Sequence, residues 1–111
     1  MGEMKERYEE FLNLKEKMES MAPEKIKGWN EFTQSLKGGI LSEKVSHLIA
    51  IVAGMIKGCE WCIAVHTHAA IEAGATKEEI LEACWIAVEM DGGPGLVHII
   101  PVMEAIEEFT E

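Results

Sequence analysis

The chain has 111 residues, 48% of them apolar, and three cysteines; this size suits one domain over 1–111, and the cysteines are too few for a disulfide-stapled fold, which points to a reducing compartment. The formal net charge is -10, and residues 72–111 carry one base against ten acids, a balance that repels phosphate backbones and argues against nucleic acid as a partner. Met1 to Phe11 holds no signal-like apolar run and the mainly apolar stretch Val45 to Ile56 is far short of a bilayer span, so the expectation is a soluble cytoplasmic protein without membrane association.

Glu3 to Ser20 spaces Met4, Tyr8, Phe11, Leu12, Leu14 and Met18 mostly three or four apart among charges, which predicts an amphipathic helix. Pro23 ends that helix or opens the next, which carries Ile26, Trp29, Phe32 and Leu36 and stops at Gly38-Gly39. Ser42 and Glu43 start a third helix running to about Lys57. Gly58 breaks it, and a fourth opens with Cys59 and Cys62 in its first turn and ends near Gly74. Thr76 and Glu79 have capping-box spacing and begin a fifth, through about Met90. Asp91-Gly92-Gly93-Pro94-Gly95 reads as a loop. The last helix, about Leu96 to Phe109, contains Pro101, which either kinks it or moves its start later. No segment alternates with the two-residue period of a half-buried strand, so the fold class is all-α, with N-terminal helices over 3–37 and a core over 42–109.

Two stripes of small residues predict a close helix pair. His47, Ala50, Ile51 and Gly54 share a face of the third helix; Cys59, Cys62, His66, Ala70 and Ala73 share one of the fourth. Opposing these faces brings the axes within the usual spacing of about 8–10 Å and puts His47 near the thiols.

The chemistry lies in Cys59-Glu-Trp-Cys62 with His66 four residues on. At about 100° per residue these three side chains fall within about 60° of one another. A helix N-terminus stabilises an anion, so thiolates there are favoured, and His66 stands one turn beyond Cys62 to take its proton. Cys62 is then the attacking thiol and Cys59 the one that closes the disulfide; the opposite order, with the N-terminal thiol attacking, stays open. Cys59, Cys62 and His66 could also serve as metal ligands, with His68, Cys84 or His98 as a fourth, although the second close ligand pair usual in structural zinc sites is missing. His47 reads equally as a core histidine or a proton relay, and Cys84 as a small buried residue. His68 points some 200° from His66 and is expected at the surface or an interface. His98 is a candidate border of the site, and Trp61 a shield for the disulfide or an anchor.

The run Gly58-Cys59-Glu60-Trp61-Cys62-Ile63-Ala64-Val65-His66, followed by Ala69-Ala70-Ile71-Glu72-Ala73-Gly74-Ala75-Thr76-Lys77-Glu78-Glu79-Ile80, resembles the carboxymuconolactone decarboxylase superfamily on its alkylhydroperoxidase, AhpD-like, side. The resemblance covers about residues 36 to 109. It implies an all-helical fold assembling as a homotrimer or homohexamer, and a redox-active disulfide that reduces peroxides or exchanges with a thiol partner. In the fuller family motif a glutamate twelve residues before the first cysteine joins a proton relay with the histidine. Here that position is His47, an imidazole that can pass a proton but supplies no fixed negative charge; Glu43, one turn earlier, is a partial substitute.

The expected function is therefore a thiol-dependent peroxidase or disulfide reductase with Cys59, Cys62, His66 and His47 as its catalytic set. Its substrate is a hydroperoxide or disulfide and its electrons come from a thiol protein or small thiol, since no haem, flavin or nicotinamide motif is present and no cofactor is expected. The alternatives are a decarboxylase-like enzyme acting on a small carboxylated lactone and a non-catalytic, zinc-binding helical oligomer.

Overall fold

Helix boundaries follow the capping chemistry written into the chain. The structure, a computed structural model that describes residues 2–110, has seven helices and no strand among the described residues. They are α1 (Glu3–Met21), α2 (Pro23–Ser35), α3 (Glu43–Lys57), α4 (Glu60–Glu72), α5 (Lys77–Asp91), α6 (Gly93–Val97) and α7 (Ile99–Thr110). Pro23 opens α2, where its missing N–H would have no partner anyway. Ser42 caps α3 by accepting from the Val45 N–H at 3.1 Å, and Gly58, at φ 66°, ends it in the left-handed conformation that glycine adopts without a Cβ penalty. The capping box of α5 forms in full, with the Glu79 N–H donating to the Thr76 hydroxyl and the Thr76 N–H donating to the Glu79 carboxylate. Glu79 also pairs with Lys44 at 3.0 Å, tying the start of α5 to the start of α3.

The stretch expected as a loop is different. Gly92, at φ 72°, breaks the chain after α5, and a five-residue helix follows at once. Pro94 is tolerated because it sits in the first turn. Gly95 is buried, and a Cβ there would stand 3.2 Å from the Cβ of Asp91 and 3.4 Å from the Ala87 carbonyl, so this helix forms by packing its backbone onto the end of α5. His98 separates it from α7. Pro101 then falls in the first turn of α7, so the proline marks a later start and not a kink.

No charge occurs between Glu60 and Glu72, and α4 is accordingly the central element, packed by α3, α7 and α1 on different sides while α5 covers α3. Ile51, Met55, Ile63, Ile80 and Val102 are fully buried at this junction, each contributing about 1.5–3 kcal/mol through removal from water. The opposed small-residue stripes of α3 and α4 are present as expected. A Cβ on Gly54 would stand 3.2 Å from the Cβ of Cys62 and 3.5 Å from the Ile63 backbone nitrogen, both fixed points with little room to retreat. Gly54→Val is expected to separate the two helices at an overpacking cost of about 1–3 kcal/mol, read as a lowered thermal midpoint.

The N-terminal helices are less buried than their patterns suggest. Met4 is in the core and Tyr8 packs against it, but Leu12 and Leu14 are exposed, and α2 buries no residue. Trp29 and Phe32 of α2 are 50% and 61% exposed, and Trp85 and Ile86 of α5 are similarly open.

Candidate functional site

Cys59 and Cys62 are joined as a disulfide, with their Cα atoms 5.2 Å apart. The fold positions them from both ends. The αL turn at Gly58 redirects the chain out of α3, and Cys59 becomes the N-cap of α4, its sulfur accepting from the Cys62 N–H at 3.1 Å. A sulfur at this place faces unsatisfied backbone N–H groups and the positive end of the helix, which favours a thiolate once the bond is reduced. Both cysteines are half-buried.

The two imidazoles expected near the thiols meet. His47 of α3 and His66 of α4 stand with their Nδ1 atoms 3.1 Å apart, which requires one to donate and the other to accept. Burial holds His66 below the ordinary imidazole value of 6.5, and the charge of His47 acts in the same direction. His47 is also lowered, chiefly by burial; Lys37 adds to this and Glu43 opposes it. Both rings are therefore neutral at neutral pH and able to accept a proton.

Beside the dyad lies a cavity of about 180 Å³ lined by Thr33 in the last turn of α2 and Leu36 just after it, by Glu43, His47 and Ala50 of α3 and by His66 of α4. Its lining includes both imidazoles and neither cysteine. The lining from the end of α2 could not be anticipated, because no local pattern at Thr33 or Leu36 refers to a site on α4.

The remaining chemical groups fall into place around this centre. Cys84 is fully buried, and burial pushes its thiol up to about 11, so it is an inert core residue as expected. His68 keeps part of its ring at the surface, with Nε2 3.7 Å from the exposed Glu72 carboxylate. The rest of the ring packs between Tyr8 of α1, at 4.5 Å between ring centroids, and Phe109 of α7, at 5.0 Å, since both helices pack against α4. His98 does border the cysteine turn. Its Nδ1 bonds the Pro94 carbonyl at 2.7 Å and its Nε2 lies 3.4 Å from where a Gly58 Cβ would stand. Among the described residues no three His, Cys, Asp or Glu side chains gather in a metal-ligating group. Cys84 and His68, two of the ligands considered to complete such a group, lie in the core and on another face.

Trp61 acts as an anchor. Its Nε1 donates to Glu10 of α1 at 2.9 Å, with the Arg7 guanidinium 5.2 Å above its ring. Arg7 and Glu10 were not foreseen as part of the site. Arg7 is the chain's only arginine, but the Trp61–Glu10 separation is 51 positions, and no local pattern in α1 refers either residue to so distant a turn.

A small all-helical domain whose central helix opens on a CxxC disulfide, with a histidine one turn further on, defines a known structural class. The sequence pattern of the carboxymuconolactone decarboxylase family matches residues 23–105, and the chain belongs to that family. Its fold is close to that of a solved carboxymuconolactone decarboxylase family protein from Legionella pneumophila, with a TM-score of 0.92, 32% identity and 97% of each chain covered. It is also 36% identical over 71 residues to an uncharacterized protein of the cox locus of Paracoccus denitrificans, and 40% identical over 60 residues to an uncharacterized protein of Cupriavidus necator. These matches cover 64% and 54% of this chain, and 64% and 53% of the respective relatives. No helix among the described residues is long and apolar enough to cross a membrane.

Proposed function

We propose that the protein is a thiol-dependent peroxidase or disulfide reductase of the alkylhydroperoxidase type. The observation that carries this reading is the half-buried Cys59–Cys62 bond at the start of α4 with the neutral His66–His47 pair one turn behind it.

In the reduced protein His66 donates its Nδ1 proton to Nδ1 of His47, which leaves its Nε2 lone pair to take the proton of Cys62. The Cys62 thiolate attacks a hydroperoxide oxygen, the O–O bond breaks, and the departing alkoxide takes the proton held by His66, or one from water, to leave as the alcohol. Cys62 is now a sulfenic acid. Cys59 attacks its sulfur, water leaves, and the disulfide forms. While His66 is protonated it can pass its Nδ1 proton to His47, which releases one from its own Nε2; Glu43 supplies negative charge nearby. Two electrons from an external thiol then restore the dithiol. Acting as a reductase, the same dithiol reduces a disulfide in place of the peroxide.

Titration of accessible thiols tests this directly. One equivalent of an organic hydroperoxide is expected to remove two titratable thiols from the reduced protein, leaving Cys84 unreactive. Unchanged thiol numbers with both peroxide and small disulfides would refute the reading.

A second reading is decarboxylase-like chemistry on a small carboxylated lactone. It is favoured by the cavity, which reaches the imidazoles and Lys37 but neither cysteine. Such chemistry would survive loss of Cys62.

A homotrimer or homohexamer is part of the same proposal. Trp29, Phe32, Trp85 and Ile86 leave more apolar surface open than a small monomer usually carries. Sedimentation at micromolar concentration is expected to give a species of at least trimer mass; a monomer there would count against assembly.

A further inference from the structure

Both residues between the two cysteines are held by the first helix. Trp61 Nε1 donates to Glu10 Oε1 at 2.9 Å, and Arg7 Cζ stands 5.2 Å from the centroid of the Trp61 ring. Arg7 Nη1 bonds the same Glu10 oxygen at 3.0 Å, and its Nε lies 3.4 Å from Glu60 Oε1. One cation and two carboxylates therefore meet at the side chains of Glu60 and Trp61, within the turn that carries both sulfurs. Elsewhere around the turn, Glu3 and Glu104 line the depression that Glu60 shares with His98.

We propose that Arg7 and Glu10 are positioning residues that set the thiol–disulfide equilibrium of the CxxC turn from α1, with opposite signs. The inference rests on the reading of Cys59 and Cys62 as a redox-active pair. Reduction by glutathione consumes two glutathione thiols, which supply two electrons and two protons and leave as one glutathione disulfide. The Cys59–Cys62 bond breaks to two thiols, one of which releases its proton to become a thiolate. Arg7 favours that thiolate and so favours the reduced protein, while Glu10 disfavours both. Trp61, in contact with both side chains, ties the two charges to the turn that carries the sulfurs.

A purely structural clamp would respond differently. Losing either half of it would loosen the same turn, so both variants would move the equilibrium in the same direction. An electrostatic clamp predicts opposite movements, because Glu10→Gln removes a charge yet retains an acceptor for the indole N–H.

The test equilibrates the full chain, as wild type, Arg7→Gln, Arg7→Lys and Glu10→Gln, in glutathione buffers at pH 7. The reduced fraction is read by thiol trapping, and the rate of iodoacetamide alkylation is measured on the reduced proteins. Arg7→Gln is expected to lower the equilibrium constant for reduction about threefold, or about 14 mV, and to slow alkylation. Glu10→Gln is expected to raise the constant by a similar factor and speed alkylation, while Arg7→Lys stays near wild type. Shifts of the same sign, or no shift in either variant, overturn the proposal. If Arg7→Gln loses its helical spectrum, a Glu10→Gln constant at or below that of wild type overturns it. A wild-type disulfide that resists reduction across the whole buffer range would instead refute the redox reading beneath it.

Discussion

Cys62→Ser is expected to lower peroxide- or disulfide-dependent turnover by about a thousandfold or more while leaving the helical spectrum intact, because a hydroxyl fills the same space but ionises far less readily than a thiol. Cys59→Ser separates the roles of the two sulfurs. With no partner to condense on it, the Cys62 sulfenic acid should persist after peroxide treatment and be trapped by a dimedone-type reagent. Trapping in Cys62→Ser instead would assign the attack to Cys59. That order has its own physical support, since the Cys59 sulfur already accepts the Cys62 N–H at the helix N-terminus. Full activity in both variants would move the chemistry from the thiols to the imidazole-lined cavity.

His66→Gln should cost about 10²–10⁴-fold in kcat/KM at neutral pH, the range of general-base contributions. Its pH dependence gives a sharper test. Burial and the neighbouring His47 hold His66 below 6.5, so the neutral base persists as the medium becomes acidic and the acidic limb of the profile should lie below pH 6.5. His47→Glu places a carboxylate where the partner imidazole stands. A carboxylate favours the imidazolium, so the pKa of His66 rises and the acidic limb moves to higher pH. Stopped-flow rates of peroxide consumption from pH 4.5 to 8 would show this. An unmoved limb in His47→Glu would mean that the two rings are not coupled during the reaction.

Much of the architecture was legible because its causes are local. Ser42, Gly58, Thr76 and Glu79 mark helix ends through bonds that span three or four residues, and all of them act as their sequence positions suggest. The facing of α3 and α4 was also readable, since Gly54 and Cys62 are the small groups that a close crossing demands. Where local rules failed, packing decided. Gly92 to Gly95 carries every mark of an irregular loop, yet Gly95 lies close enough to Ala87 and Asp91 for a short helix to settle there. The angle of His68 around α4 places it toward the outside, where part of its ring stays, but not its ring contacts with Tyr8 and Phe109, which come from the two ends of the chain.

The order of the helices, the spacing of Cys59, Cys62 and His66 on one face, and membership of the carboxymuconolactone decarboxylase family follow from the amino-acid sequence, because each rests on residues within a few turns of one another. Tertiary structure alone decided that His47 and His66 share a hydrogen bond, that the end of α2 closes a cavity beside them, and that Arg7 and Glu10 grip the cysteine turn. The His47–His66 and Glu10–Trp61 bonds join residues 19 and 51 positions apart. They exist only once α4 has been buried among α1, α3 and α7, and no periodicity within a single helix encodes which side chain of a neighbour will meet it.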